Sequence, residues 1–412
     1  MTLPTDPAGP VVFNPFDPAF RVDPYSACKR LREADPLHEH PLGFTVVTRY
    51  ADCAAILRHP NAGNDSRKAP GFREQVAQLG LDPDEEMRRG RPFLFRDPPD
   101  HTRLRGLVNT AFTPRVIERL RPRIAEIVDG LIAAAAARGT LEVIAELAYP
   151  LPVIIISEML GVPAEDHEQF SAWSQELARA LDPDFSLPPE VLERRQRAVE
   201  EFRAYFERLI AKRRSEPRDD LVSALIAAED EGQKLSEEEL LEICILLLVA
   251  GHETTVNLIG NGVLALLRHP DQLQLLRDAP SLIRTAVEEV LRYDPPVQLT
   301  GRLALADIEL ADAVIPAGRQ TVLLIASANR DPAQFPDPDR LDIRREENRH
   351  LAFGMGIHFC LGAPLARVEG QIALLAFAQR LEAPEMAGEP VYKENITLRG
   401  LQSLPTTFRA AR

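Results

Sequence analysis

Cysteine is scarce in this chain of 412 residues. There are four, Cys28, Cys53, Cys244 and Cys360, all far apart. With no C-x-x-C pair and no clustered His/Cys spacing, the pattern argues against structural zinc and iron–sulfur sites. At this length it also argues against a disulfide scaffold. Positive charge is short as well. Lys+Arg is 48 against 62 Asp+Glu, a net charge of −14, which speaks against a dedicated nucleic-acid binder. Only five basic residues are lysines (Lys29, Lys68, Lys212, Lys234 and Lys393); this reads as compositional bias without mechanistic weight. The stretch Met1–Phe20 lacks the basic-then-apolar pattern of a secretory signal. No run approaches the ~18 apolar residues of a membrane-spanning helix. A soluble, cytoplasmic protein is expected. There is no linker, no repeat, and no low-complexity tract beyond the helical alanine run Ala133–Ala137.

What is present is enough apolar sequence for a large core, 45% of residues with 27% charged. The 35 prolines are dispersed, as breaks between many elements rather than as a hinge. The expected architecture is mainly α with a small β region (α+β), in one unit covering 1–412. Its helix-rich body lies at about 51–293 and 363–381, and its β region at 43–48, 302–325 and 396–408. Thr113-Pro114 opens a helix to about Ala136. Arg194–Arg214 is strongly charged and reads as a solvated surface helix. Ser236 and Glu239 form an S-x-x-E capping box ahead of an apolar run that continues to Leu267. At ~1.5 Å per residue, some 30 residues span about 45 Å. A helix this long and apolar runs through the body of the protein, with Cys244 in the core.

The strongest signal is Phe353-Gly-Met-Gly-Ile-His-Phe-Cys-Leu-Gly-Ala-Pro-Leu-Ala-Arg367. Gly354 and Gly356 allow a tight turn and close approach to a flat partner. Cys360 stands just before a helix, where the N–H groups of the next residues can stabilise a thiolate, and Gly362 leaves that approach open. Phe353 can pack on an aromatic plane, and His358 and Arg367 add donors. The set suits a thiolate bound to the iron of a large dianionic macrocycle. A second signal is Ala250-Gly-His-Glu-Thr-Thr255, in the middle of the long helix. Gly251 there costs roughly 1 kcal/mol relative to Ala, whereas small side chains at Ala250 and Gly251 make room for a planar cofactor and a diatomic ligand. Glu253 and Thr254, an acid and an alcohol in an apolar helix, need hydrogen bonds. As a pair they can relay protons; the plain alternative is Thr254 bonding back to a carbonyl.

The pattern F-G-x-G-x-H-x-C-x-G-x-x-L-A-R resembles the haem-ligating signature of the cytochrome P450 superfamily, and every fixed position matches. The likeness extends over nearly the whole chain, in family order, at the length of the soluble bacterial branch. It implies a single large triangular fold with a long central helix, haem b bound by Cys360 as proximal thiolate, and O2 as co-substrate. A-G-H-E-T resembles the family's oxygen-activation segment, which makes Glu253 and Thr254 the catalytic pair and leaves His252 at the variable position. Glu289-Val-Leu-Arg292 resembles the family's buried E-x-x-R pair, with Arg340 of Asp337-Pro-Asp-Arg340 as third member; Leu341 stands where the family usually has Phe. His101 and Arg105, four apart on a helix, match the propionate-binding helix. Arg302 and His358 match the other propionate partners, and Ala250, Gly251, Phe353 and Gly362 complete the cofactor set. Leu94, Leu246, Val249, Val297, Leu299, Thr397 and Leu398 are expected to line an apolar substrate pocket.

The activity implied is insertion of one oxygen atom of O2 into a C–H bond, or epoxidation of an alkene, of a lipophilic small molecule such as a macrolide or terpenoid. The chain carries no flavin or iron–sulfur motif. Electrons from NAD(P)H would therefore arrive through a separate ferredoxin or flavodoxin with its reductase, docking where Arg103, Arg115, Arg344 and Arg345 form a local basic patch. Two other readings of the same signature are a peroxide-driven haem-thiolate peroxygenase and a non-enzymatic haem sensor. The acid–alcohol pair speaks against the first, and the lack of an output domain against the second.

Overall fold

The computed structural model describes residues 13–78, 80–88, 90–178, 187–230 and 233–411. Its organising element is the helix Glu237–Arg268, the central helix. Ser236 accepts from the Glu239 N–H, and the Glu239 carboxylate accepts in return from the Ser236 N–H. This capping box satisfies two of the four otherwise orphaned donors at the helix start. From Leu240 to Leu266 most of the helix is buried on every side. By length and composition it could cross a bilayer, contrary to the sequence expectation that no segment qualifies. Here its apolar surface is taken up by protein. The helices Pro150–Leu160, His167–Ala178 and Ala363–Arg380 and the one-turn segment Ile144–Ala148 all pack on it.

The helix predicted from Thr113 is Pro114–Ala136, with the Thr113 hydroxyl accepting from the Val116 N–H. The charged segment predicted to be solvated, Arg194–Arg214, belongs to the helix Pro189–Ser215. It is amphipathic and buries Phe202, Phe206, Leu209 and Ile210. Phe202 and Phe206 stack at 4.4 Å and pack on Phe170 and Trp173 of His167–Ala178. The four apolar positions carry that packing; most of the charges lie on the other face, whereas Arg213 is buried against Asp220.

The principal sheet has five short strands in the order Leu37–Glu39, Thr45–Val47, Gln320–Leu324, Leu299–Ala304 and Ala62–Gly63. All pairs are antiparallel except Thr45–Val47 with Gln320–Leu324. This places Thr321 opposite Arg302. The expected β region at 302–325 is divided: Leu299–Ala304 and Gln320–Leu324 join this sheet, and Ile308–Glu309 pairs with Val314–Ile315. Near the C-terminus the expected strand over 396–398 is reduced to one bridge, Val297 with Leu398. Pro405–Thr407 pairs with Thr140–Glu142 and Glu385–Met386.

Candidate active site

The cavity that dominates the interior, about 1700 Å³, opens between the central helix and the loop carrying Cys360. Ala250, Gly251, Thr254 and Thr255 line one side, and Phe353, Gly354, Cys360, Leu361 and Gly362 the other. The loop is shaped by its glycines. Gly354 and Gly356 have φ of +66° and +70°. A Cβ on Gly356 would stand 2.5 Å from the Leu57 carbonyl oxygen. Gly362 is different: its φ is −79°, and a Cβ there would lie an ordinary 3.9 Å from the Cys360 sulfur. Crowding therefore does not demand glycine at 362, contrary to expectation.

Cys360 donates its N–H to the Phe353 carbonyl (2.9 Å). Burial pushes its thiol up, while the N–H groups of Gly362 and Ala363 and the charges of Arg105 and Arg367 pull the other way. A desolvated sulfur facing two N–H donors at a helix start suits a bound metal ion. Arg105 donates to the Phe359 carbonyl at 2.6 Å, tying its helix Asp100–Ala111 to the cysteine loop. Arg367 forks onto Glu288 (2.6 and 2.9 Å) and lies 4.6 Å over the Phe353 ring. His350 is 3.1 Å from the same carboxylate. Arg367 and His350 together hold the Glu288 carboxyl down to about 2 despite burial.

His101, His358 and Arg302 meet beside the cavity, and among the described residues no carboxylate bonds any of them. The two imidazoles stand 4.1 Å apart. Both ring nitrogens of buried His101 and Nε2 of His358 lack partners. Desolvation lowers His101, and desolvation with the nearby cations pushes His358 down to about 3. Arg302, 8% exposed, donates only to Thr300 and to the Gly301 carbonyl, and burial lowers it to about 10. The nearby acid, Asp97, is engaged by Lys68 at 2.8 Å and by the Asn64 N–H. Two imidazoles with unpartnered buried nitrogens beside a buried guanidinium that no carboxylate pairs call for an anionic ligand. Together with Cys360 and the glycine-lined gap at Gly251, whose nearest neighbour to an added Cβ would be Ile156 at 3.9 Å, they fit haem and its two carboxylates.

On the central helix Thr254 lines the cavity and also bonds back to the Ala250 carbonyl at 2.9 Å. Glu253, expected beside it, does not line the cavity. Its carboxylate accepts from Lys393 at 2.5 Å and lies 3.6 Å from His252. The reason is helical phase: residue 253 is one step, about 100°, away from the face of Thr254. The same phase removes Val249, which is core, and substitutes Leu247 beside the expected Leu246. The remaining expected positions, Leu94, Val297, Leu299, Thr397 and Leu398, all line the cavity.

Glu289 and Arg292 form the expected buried pair, with two bonds of 2.8 Å. The expected third member is corrected. The Arg340 side chain is exposed and only its carbonyl accepts from Arg292. Arg345 and Asn348 reach Glu289 instead, each at 3.1 Å. Arg345 is thereby withdrawn from the expected basic patch, and Arg103 pairs with Glu239; Arg115 and Arg344 are exposed.

A titratable cavity residue also escaped the sequence reading. Glu369 sits on the helix Ala363–Arg380 and is 1% exposed; Thr255 bonds its carboxyl, and its Oε1 has no partner. Burial raises it to about 8, so it carries its proton at neutral pH. The available signal was a lone acid between Val368 and Gly370 on an otherwise apolar stretch.

A sequence model of the family described as Cytochrome P450 matches residues 59–408. The chain is 41% identical to the polyketide biosynthesis cytochrome P450 PksS of Bacillus subtilis, over 97% of this chain and 99% of that protein. It is 44% identical to the cytochrome P450 monooxygenase PikC of Streptomyces venezuelae, over 95% and 93%. The solved structure of Mycobacterium smegmatis CYP164A2 superposes with a TM-score of 0.87 at 45% identity, covering 95% of this chain and 98% of that one.

Proposed function

The chain belongs to the cytochrome P450 family of haem- and O2-dependent monooxygenases, and from that premise we propose that it oxidises a lipophilic secondary metabolite of polyketide or terpenoid size, with electrons from a separate ferredoxin or flavodoxin. The observation that carries this reading is the cavity itself. Beyond the residues facing Cys360 it extends along Leu94, Leu246, Leu247, Val297 and Leu299 to the segment Phe13–Asp17 and the turn His40–Leu42. That lining offers apolar contact over a length greater than the cofactor needs, and few fixed polar contacts. Relatives named for polyketide biosynthesis and for vitamin D(3) 25-hydroxylation support the substrate class.

Haem held by Cys360 supplies activation of O2 and transfer of one oxygen atom to carbon. The protein's part is to hold, orient and protonate. The Gly362 and Ala363 N–H groups favour the thiolate of Cys360 against the opposing effect of burial. His101, His358 and Arg302 would hold the cofactor's carboxylates. The Thr254 hydroxyl, with its hydrogen on the Ala250 carbonyl, presents its lone pairs to the cavity and accepts a proton or a water there. Glu253 supplies protons from the outer side of the helix. Glu369, a cavity-lining acid raised to about 8 by burial and with one unpartnered oxygen, is a second proton holder beside Thr255.

Substrate-induced spin-state shifts across a library of macrolides, terpenoids, steroids and fatty acids test the substrate class. Saturable shifts with macrolides or terpenoids are expected; tight binding confined to short polar molecules would overturn the reading. Cys360→Ser is expected to lose both the thiolate-type ferrous–CO band and turnover with NAD(P)H, ferredoxin and reductase. Undiminished turnover would refute the assignment of Cys360.

A further inference from the structure

We propose that Lys393 is the positioning residue of the proton-relay acid, tying Glu253 to the loop that lines the substrate cavity. The inference rests on the monooxygenase reading above. It starts from an oddity of the central helix: Glu253 is 5% exposed, yet it faces away from the cavity it is expected to serve. Its cation comes from 140 residues along the chain. Lys393 Nζ donates to Glu253 at 2.5 Å and to the Asn257 side-chain oxygen at 3.0 Å. Glu253 and Asn257 are one helical turn apart, so the ammonium spans the two positions of one face. Among the described residues, His252 and Lys393 lie against the carboxylate and Tyr149 feels its charge from farther off; His252 is fully buried, with Ser174 Oγ 2.8 Å from Nδ1 and the Leu248 carbonyl accepting at 2.8 Å.

Lys393 has a second attachment. Its backbone N–H bonds the Gly400 carbonyl at 3.0 Å, closing a loop whose residues Ile396, Thr397 and Leu398 line the substrate cavity. That loop is pinned to the cavity wall by Gln298 N–H to the Thr397 carbonyl (3.0 Å) and by the bridge between Val297 and Leu398. Lys393 also lines a small outer crevice together with Gln298, Tyr392, Asn395 and Arg399. The ammonium therefore stands where crevice, acid and substrate-contacting loop meet. While bound, it holds the carboxylate on the helix face that it shares with Asn257. When it lets go, the Glu253 carboxylate loses that anchor and is free to swing toward Thr254. A substrate that presses on 396–398 acts on the same loop, so that proton delivery is matched to occupancy.

Selective labelling makes this testable, because there are only five lysines. In the ferrous–CO protein with 15N-lysine, an ion-paired, largely enclosed ammonium exchanges slowly and gives a resolved Nζ signal. We expect one such signal, lost in Lys393→Met and in Glu253→Gln, and shifted by a ligand that produces a spin-state change. In turnover, Lys393→Met is expected to lower product formed per NAD(P)H about five- to tenfold, with the deficit appearing as peroxide. Lys393→Arg retains most coupling, and the spectral Kd for substrate stays within about twofold. The double variant Lys393→Met/Glu253→Gln is expected to match Glu253→Gln alone, since the two act as one unit; it also removes the buried unpaired charge that could unfold the single variant. Wild-type coupling in Lys393→Met, losses that multiply in the double variant, or a Lys393 signal indifferent to Glu253→Gln would each overturn the proposal. Failure of the monooxygenase reading shows separately, as absence of the thiolate-type CO band in the wild type.

Discussion

The side chains around Glu289 show how a motif and a geometry can part company. Arg292 and Glu289 are fully buried, and a buried carboxylate left short of partners costs far more than a surface ion pair yields. Glu289 takes bonds from Arg292, Arg345, Asn348 and the Asp342 N–H, whereas Arg340 offers that cluster only a carbonyl. Arg345→Ala is therefore expected to destabilise the holoprotein by about 1–3 kcal/mol, and Arg340→Ala by less than about 0.5 kcal/mol. Denaturant midpoints and haem retention measure the difference; equal losses would return Arg340 to the cluster. Glu369 gives a pH signature at the same scale. Its carboxyl is raised from 4.5 to about 8, so between those values the native state holds a proton that the unfolded state has released. Stability falls as pH rises through that window, by about 1.4 kcal/mol per unit at most. Glu369→Gln removes this slope. Melting temperatures from pH 5 to 8.5 are expected to show the variant gaining steadily on the wild type, and parallel curves would mean that Glu369 is ionised throughout.

At the level of the element, the cysteine loop carries one glycine that space demands and one that it does not. Gly356 combines φ of +70° with a backbone oxygen 2.5 Å from the place of a Cβ. Gly356→Ala is expected to displace the loop, at a cost of about 1–3 kcal/mol, and to shift the ferrous–CO band away from the thiolate position. Gly362→Ala, with φ of −79° and 3.9 Å of clearance to the sulfur, is expected to keep it. Equal spectra for the two variants would separate loop geometry from ligation. The central helix teaches the complementary lesson. Its start, its length and its burial could be read from a capping box and an apolar run. The face that each residue presents could not, because an all-round apolar helix has no polar side from which to set its phase. Val249 and Glu253 were misplaced for that reason.

At the level of the molecule, the net charge of −14 coexists with local arginines, and the fold decides which of them are free. Arg103 and Arg345 are spent on Glu239 and Glu289, leaving Arg115 and Arg344 exposed. Arg115→Glu/Arg344→Glu is expected to slow ferredoxin-supported turnover several-fold at low salt, less so at high salt, and to leave peroxide-driven turnover unchanged. Equal losses in both assays would take these residues out of electron-partner docking.

The mainly helical class and the setting of Cys360 were legible in the sequence, because each rests on residues close together in the chain. The buried Glu289–Arg292 pair and the gathering of His101, Arg302 and His358 followed only from the resemblance to the family, since spacing alone left Glu289 and Arg292 as a surface ion pair. What the tertiary structure alone decided were meetings between distant segments: Arg345 with Glu289, Thr255 with Glu369, and Lys393 with Glu253 across 140 residues. Chain order carries local spacing, whereas a long-range contact is chosen by the packing of whole elements. A lysine with no sequence signal thus came to rest on the acid that a motif had singled out.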